Sequence, residues 1–181
     1  MGMHRMMKVF LYGLSLFVLG SLVGCGAIKV SFDVNVEGKT TITKGTLLEQ
    51  LAGNFGFDGF ASFDISQSSE FKNKNTEKDR IETAKVKSIT MKITGPETQK
   101  FDFLEEITFF IEAPGQTKKR IGTKKVPKGL KTFTLDLDSL DLTPYLKADS
   151  VKITTDAKGK RPENDTTIQA LIVLSIKAVV L

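Results

Sequence analysis

The chain has 181 residues, with 26 Lys and Arg against 21 Asp and Glu, a net charge of +5 at pH 7. Its one histidine is His4 and its one cysteine is Cys25; tryptophan is absent. Past residue 25 this excludes a Ser-His-Asp triad, a Cys-His dyad, an ordinary zinc site and an internal disulfide, and leaves acid–base chemistry to carboxylates or lysine, which no spacing here supports.

The first element is a targeting segment. Arg5 and Lys8 make its start positive, residues 9–24 carry no charge, and no Asp or Glu precedes Cys25. This is the layout of an export signal, and the apolar run is shorter than the roughly 20 residues of a membrane span. Met1, Met3, Met6 and Met7 are all candidate starts. At its end, Leu22-Val23-Gly24-Cys25 resembles the lipobox of bacterial lipoproteins. The resemblance implies that residues 1–24 are a cleaved signal peptide and that Cys25 carries fatty acyl chains such as palmitate. It also implies that residues 25–181 form a single membrane-anchored domain of the bacterial cell envelope. Gly26 and Ala27 supply no Asp after the cysteine, which favours the outer membrane over the inner. Each buried methylene contributes roughly 0.8 kcal/mol, so two or three chains on Cys25 make release rare. An uncleaved signal anchor is the alternative. Without Arg5 and Lys8 the chain retains 24 basic and 21 acidic side chains, or +3. That is too mild to argue for nucleic acid.

The domain begins at once. Ile28, Val30, Phe32, Val34 and Val36 alternate with Lys29, Ser31, Asp33 and Asn35, the pattern of a half-buried strand. Glu37-Gly38 marks a turn, and Lys39–Thr43 continues as a short strand. Thr46-Leu47-Leu48-Glu49 fits a capping box, which predicts a short helical lid over 47–52 ended by Gly53. Phe60–Ser66 reads as a strand with Ala61, Phe63 and Ile65 inward. Residues 67–80 are polar apart from Phe71, which predicts an exposed loop with a weak helix after Thr76.

Alternation returns over 84–94. The spacing shifts between Val86 and Ile89, as at a β-bulge, and Gly95-Pro96 ends the strand. Glu105–Ala113 predicts a strand with Ile107, Phe109 and Ile111 inward. Ala113-Pro114-Gly115-Gln116 suits a type II turn, so Thr117–Lys124 pairs back as a hairpin. Val126–Gly129 turns again, and Lys131–Leu137 alternates through Phe133, Leu135 and Leu137. Thr143-Pro144-Tyr145-Leu146 suits one helical turn with Thr143 as cap. Tyr145 is expected to anchor that turn. Val151 and Ile153 begin a strand over 150–155, and 156–165 predicts a polar loop. The last strand, 166–179, is apolar on both faces through Ala170–Leu174, which predicts a central strand covered on both sides.

Seven to nine strands with one or two short helices predict an all-β fold, an antiparallel β-sandwich of immunoglobulin-like or related topology. A closed β-barrel is the alternative. Eleven Phe remain past the signal to fill the core.

Three features are candidate sites. Lys118, Lys119, Arg120, Lys124, Lys125, Lys128 and Lys131 form a basic stretch without an acid between them. It suits an anionic lipid or acidic polysaccharide, or a solvated edge hairpin whose lysines deter sheet-to-sheet aggregation. Phe55, Phe57 and Phe60, spaced by glycine, suit an apolar lip for a lipid or partner, or the packed end of a sandwich. Asp136, Asp138 and Asp141, with Asp156 and Asp165, are oxygen donors, but Asp136 and Asp138 fall on the outer face of a strand and the spacing is not that of a calcium loop. No metal and no cofactor is expected. Asn164-Asp165-Thr166 is a chance sequon in a bacterial chain. The function expected is a non-catalytic binding or structural module that contacts another envelope component. A carrier of lipid or a small apolar ligand is the alternative, and a carboxylate-dependent hydrolase is a third reading.

Overall fold

A computed structural model describes residues 27–45, 54–55 and 62–180. Cys25, Phe57, Phe60 and the predicted helical lid over 47–52 lie outside the described residues.

The strands are β1 (Lys29–Ile42), β2 (Asn54–Phe55), β3 (Ser62–Phe63), β4 (Ile81–Gly95), β5 (Leu104–Glu112), β6 (Lys119–Lys125), β7 (Thr132–Thr134), β8 (Asp136–Leu137), β9 (Val151–Gly159) and β10 (Thr166–Val179). Two antiparallel sheets result. One has the order β1-β10-β4-β7; the other has the order β2-β9-β5-β6-β8, with β3 also on β9. They face each other as a β-sandwich and do not close into a barrel. Of these ten, β2, β3, β7 and β8 are pieces of two or three residues, and they carry the count past the expected seven to nine.

β10 is central, as its composition predicts. It pairs with β1 from Lys29↔Val179 to Ile42↔Thr166 and with β4 on its other side. Its even-numbered residues Ile168, Ala170, Ile172, Leu174, Ile176 and Ala178 enter the core. Among the described residues its second face is not fully covered as expected: Leu171 and Val173 are half-buried. Flanking strands shield part of each side chain, and no second layer lies over them among the described residues. On β4 the predicted bulge falls at Lys87, which the pairings Val173↔Ser88 and Leu174↔Val86 leave without a partner. The extra residue returns Ile89, Met91 and Ile93 to the inward face after Ala84.

The hairpin of the second sheet also follows its sequence. Gly115 has φ +74° and the Gln116 N–H donates to the Ala113 carbonyl at 3.0 Å, the positive-φ turn predicted there. Ile107, Phe109 and Ile111 of β5 are buried against Val151, Ile153 and Ala157 of β9.

Other expectations need correction. No turn forms at Glu37-Gly38, because β1 stays in register with β10 across it and ladder hydrogen bonds override glycine's preference. Ile28 is 66% exposed instead of inward, since the ladder begins only at Lys29 on an edge strand. The strand expected over 60–66 is cut short. The Asp64 carboxylate accepts from the Ser66 N–H and starts a 3₁₀ turn at Ile65–Gln67. Residues 67–80 are more ordered than their polarity implies. Helix α1 (Ser69–Lys72) is capped by Ser68 and buries Phe71, whose ring meets Phe32 edge-on at 6.0 Å. The strand over 150–155 runs on to Gly159, where Leu104 pairs with it.

The largest difference concerns residues 131–137. The expected single strand is two, on different sheets. β7 pairs with β4, the Leu135 N–H donates to the Ile89 carbonyl at 2.9 Å, and β8 then pairs with β6. Phe133 and Leu135 are buried, but the crossing turns Leu137 outward to 37% exposure. The N-cap of helix α2 (Thr143–Leu146) is Leu142, not Thr143, and it has no side-chain cap; just before it, Asp141 Oδ1 accepts from the Thr143 N–H at 3.0 Å and from Oγ1 at 2.6 Å. Tyr145 anchors α2 as expected. It is buried, and its hydroxyl donates to the Thr117 carbonyl at 2.7 Å.

Candidate functional site

The basic stretch lies along β6 and the turns at either end of it. At about 3.4 Å per residue its seven-residue strand spans roughly 20 Å, so Lys118 and Lys131 do not share a site. Four of its side chains turn onto groups of the same domain. The Lys118 ammonium sits 4.4 Å from the Phe110 ring centroid. Arg120 holds Asp138 through Nε–Oδ2 at 2.6 Å and Nη2–Oδ1 at 3.1 Å. Lys124 reaches Asp136 Oδ1 at 2.8 Å, and Lys128 donates to the Asp102 carbonyl at 2.6 Å. Lys119, Lys125 and Lys131 are exposed. The sequence places no acid within the stretch; the crossing at β7–β8 brings two beside it. Arg120's hydrogen bond and charge hold Asp138 below the usual carboxylate range, against a smaller upward push from burial.

The candidate oxygen donors disperse. Asp136 and Asp138 meet β6 cations, and Asp141 accepts from Thr143 at the start of α2. Asp165 accepts from the Lys44 N–H at 2.8 Å, and exposed Asp156 stands opposite Thr108. Among the described residues no three His, Cys, Asp or Glu converge. Of the aromatic trio, Phe55 is described only in its backbone, which pairs with Ala157 in β2.

A second constellation escapes sequence reading. At the Ile42 end of β1 the 98–103 segment and the 160–164 loop enclose a cleft of about 490 Å³. Its cations are Lys100, Lys160 and Arg161; its acids are Asp102 and Glu163; Thr98, Gln99 and Asn164 add neutral donors and acceptors. Phe103 forms its apolar floor, with Phe101 behind it packed edge-on to Phe133 at 4.8 Å.

The backbone holds the cleft in shape. Gly159 has φ +153°, and a Cβ there would overlap the Phe103 carbonyl and crowd Leu104. Only glycine combines that conformation with that approach. The next residue, Lys160, donates its N–H to the Phe103 carbonyl at 2.7 Å. Arg161 lies against Gly45 so closely that a Cβ on Gly45 would collide with its stem, and its Nη1 donates to Thr43 Oγ1 at 3.2 Å. The Gly45 N–H donates to the Pro162 carbonyl at 3.3 Å. On the other wall, the Asp102 side chain accepts from the Gly129 N–H, which ties that segment to the β6–β7 turn. The one local signal is Gly159-Lys160-Arg161-Pro162, a glycine and a proline flanking two cations. Its partner segment, 98–103, lies about sixty positions earlier, beyond any local spacing.

No family model matches the chain, and no curated protein matches it. Among solved structures, a decameric BFDV capsid protein is similar at a TM-score of 0.45 and 9% identity, covering 83% of this chain and 99% of that one. A 60-mer BFDV capsid protein is similar at 0.46 and 12%, covering 84% and 94%. The fold described above rests on the strand pairing alone.

Proposed function

We propose that this chain is a lipid-anchored bacterial envelope protein whose β-sandwich is a non-catalytic binding or structural module. The observation that carries the reading is Leu22-Val23-Gly24-Cys25 behind an acid-free apolar run, with β1 beginning four residues later. Acyl chains on Cys25 place the domain close to a bilayer, without a long tether; the outer membrane is favoured because no Asp follows the cysteine. A packed interior supports a binding surface over an apolar carrier. Phe71, Phe101, Phe109, Ile107 and Leu142 are at most 2% exposed within one continuous core. The carrier reading rests on Phe55, Phe57 and Phe60. Partners of the module are another envelope protein, an anionic lipid or an acidic polysaccharide.

The test is metabolic labelling with radioactive palmitate. Label should enter the wild-type chain and not Cys25→Ala, which should leave the membrane fraction. An unlabelled wild type, with Cys25→Ala still fractionating with membranes, overturns the proposal.

A further inference from the structure

We infer that the cleft between residues 98–103 and 160–164 binds a carboxylate-bearing polysaccharide, presented on the side of the domain away from the membrane. The orientation, and with it the choice of a polymer over a lipid headgroup, rests on the lipid-anchor reading; the preference for a sugar carboxylate does not.

The lining carries the chemistry. Lys100, Lys160 and Arg161 supply a cationic side for a sugar carboxylate, and Arg161 offers the fork that pairs such a group bidentately. Gln99, Asn164 and Glu163 supply donors and acceptors for ring hydroxyls. Asp102 and Glu163 oppose phosphate and carboxylate alike, so the lining favours a ligand that also brings hydroxyls to donate to them; a carboxylate-bearing sugar supplies both, inorganic phosphate a charged group alone. An acyl chain fits poorly, because charged and amide side chains dominate the walls. A cleft of about 490 Å³ lies within the range of small-ligand sites.

The shape is fixed before binding. Gly159, the Lys160–Phe103 backbone bond, and the seat of Arg161 on Gly45 and Thr43 tie both walls to strand ends. The backbone of both walls is thus held before binding, while the exposed Lys100 and Lys160 side chains are ordered on association.

Position selects a polymer over a lipid headgroup. The 14 residues of β1 span about 45 Å, and the cleft lies beside Thr43 and Gly45, just past the end of β1 that is remote from residue 27. An anchor at Cys25 therefore points the cleft outward.

The test uses the full chain in detergent micelles, titrated calorimetrically with tetragalacturonate. Maltotetraose is the neutral control, and inorganic phosphate is the competitor. Tetragalacturonate should bind, maltotetraose at least tenfold more weakly, and equimolar phosphate should not displace the sugar. Arg161→Gln should weaken binding at least tenfold, as should the double variant Lys100→Gln/Lys160→Gln, which keeps the Arg161 packing. Lys74→Gln, exposed at the opposite end and outside both the cleft and the basic stretch, should match the wild type. The inference is overturned by no binding, by equal affinity for the neutral sugar, by displacement with phosphate, or by Lys74→Gln losing as much as the cleft variants. Binding without palmitate incorporation sinks only the anchor; palmitate incorporation without binding sinks only the cleft.

Discussion

The two ends of the sandwich are finished by different means. At the end nearest residue 27, apolar side chains form a plug. Phe71 of α1 and Tyr145 and Leu146 of α2 are buried there, and the Tyr145 hydroxyl stitches α2 to the β5–β6 turn. At the other end the aromatic floor of Phe101, Phe103 and Phe133 is topped by a polar mouth. Backbone hydrogen bonds and two close glycine approaches hold its walls. Burial alone closes a sheet end. A polar opening persists only where backbone contacts take over the work of side-chain packing.

That contrast can be broken experimentally. Gly159→Val is the harshest change, since it adds a branched side chain at a positive φ against the Phe103 carbonyl. A loss of roughly 3 kcal/mol or more is expected by chemical denaturation. An unchanged midpoint would mean that the cleft wall is not held as described. At the opposite end, Leu146→Ala should cost about 2–5 kcal/mol by opening a cavity in the plug, while tetragalacturonate binding is retained. If Leu146→Ala weakens sugar binding at temperatures where the domain is folded, the two ends are not independent.

Tyr145→Phe removes one hydrogen bond and leaves the ring in place. The expected cost is about 1 kcal/mol, visible as a modest drop in Tm. No change would show that ring packing alone seats α2.

The smallest effect is an acid one, and it falls on the residue-27 end. Asp141 lies below its ordinary range because the Thr143 hydroxyl and N–H donate to it. Burial pushes Asp64 up, but hydrogen bonds from Ser66 and the Lys78 charge outweigh it, so it too is lowered. A depressed folded-state pKa gives stability that is present above the unfolded value and lost as pH falls through the folded one. The protection of the amides at Thr143–Leu146 and Ile65–Gln67, taken relative to their intrinsic exchange at each pH, should therefore fall as pH drops through and below the ordinary carboxylate range. Unchanged protection down to pH 2, on the order of two units below that range, would remove these carboxylates from the account.

Much of the sandwich was legible residue by residue. The alternation in 29–36 and 105–112, the shifted spacing between Val86 and Ile89, and Pro114-Gly115 each report a local backbone geometry, and each recurs in the structure. Phe71 was underrated because a single apolar residue has no period to display. The failure at 131–137 has a different source. Alternation there gives faces but not partners, so a strand crossing from β4 to β6 looks the same as one that stays on a single sheet. The crossing also carries Asp136 and Asp138 to Lys124 and Arg120, which shows how a stretch that is basic in one dimension loses much of its charge in three.

From its residues alone this chain gives the expectation of an export signal with a lipobox-like end, and it discloses an all-β class and the inward side of most strands. Those properties depend on neighbours in sequence, through charge placement and the two-residue repeat of an extended backbone. Which strands pair, where the chain changes sheets, and that Thr43, Gly45, Lys100, Gly159 and Arg161 meet around one cleft are set by contacts between segments far apart. Such contacts arise only when the two sheets bury their common core, and no local periodicity encodes them.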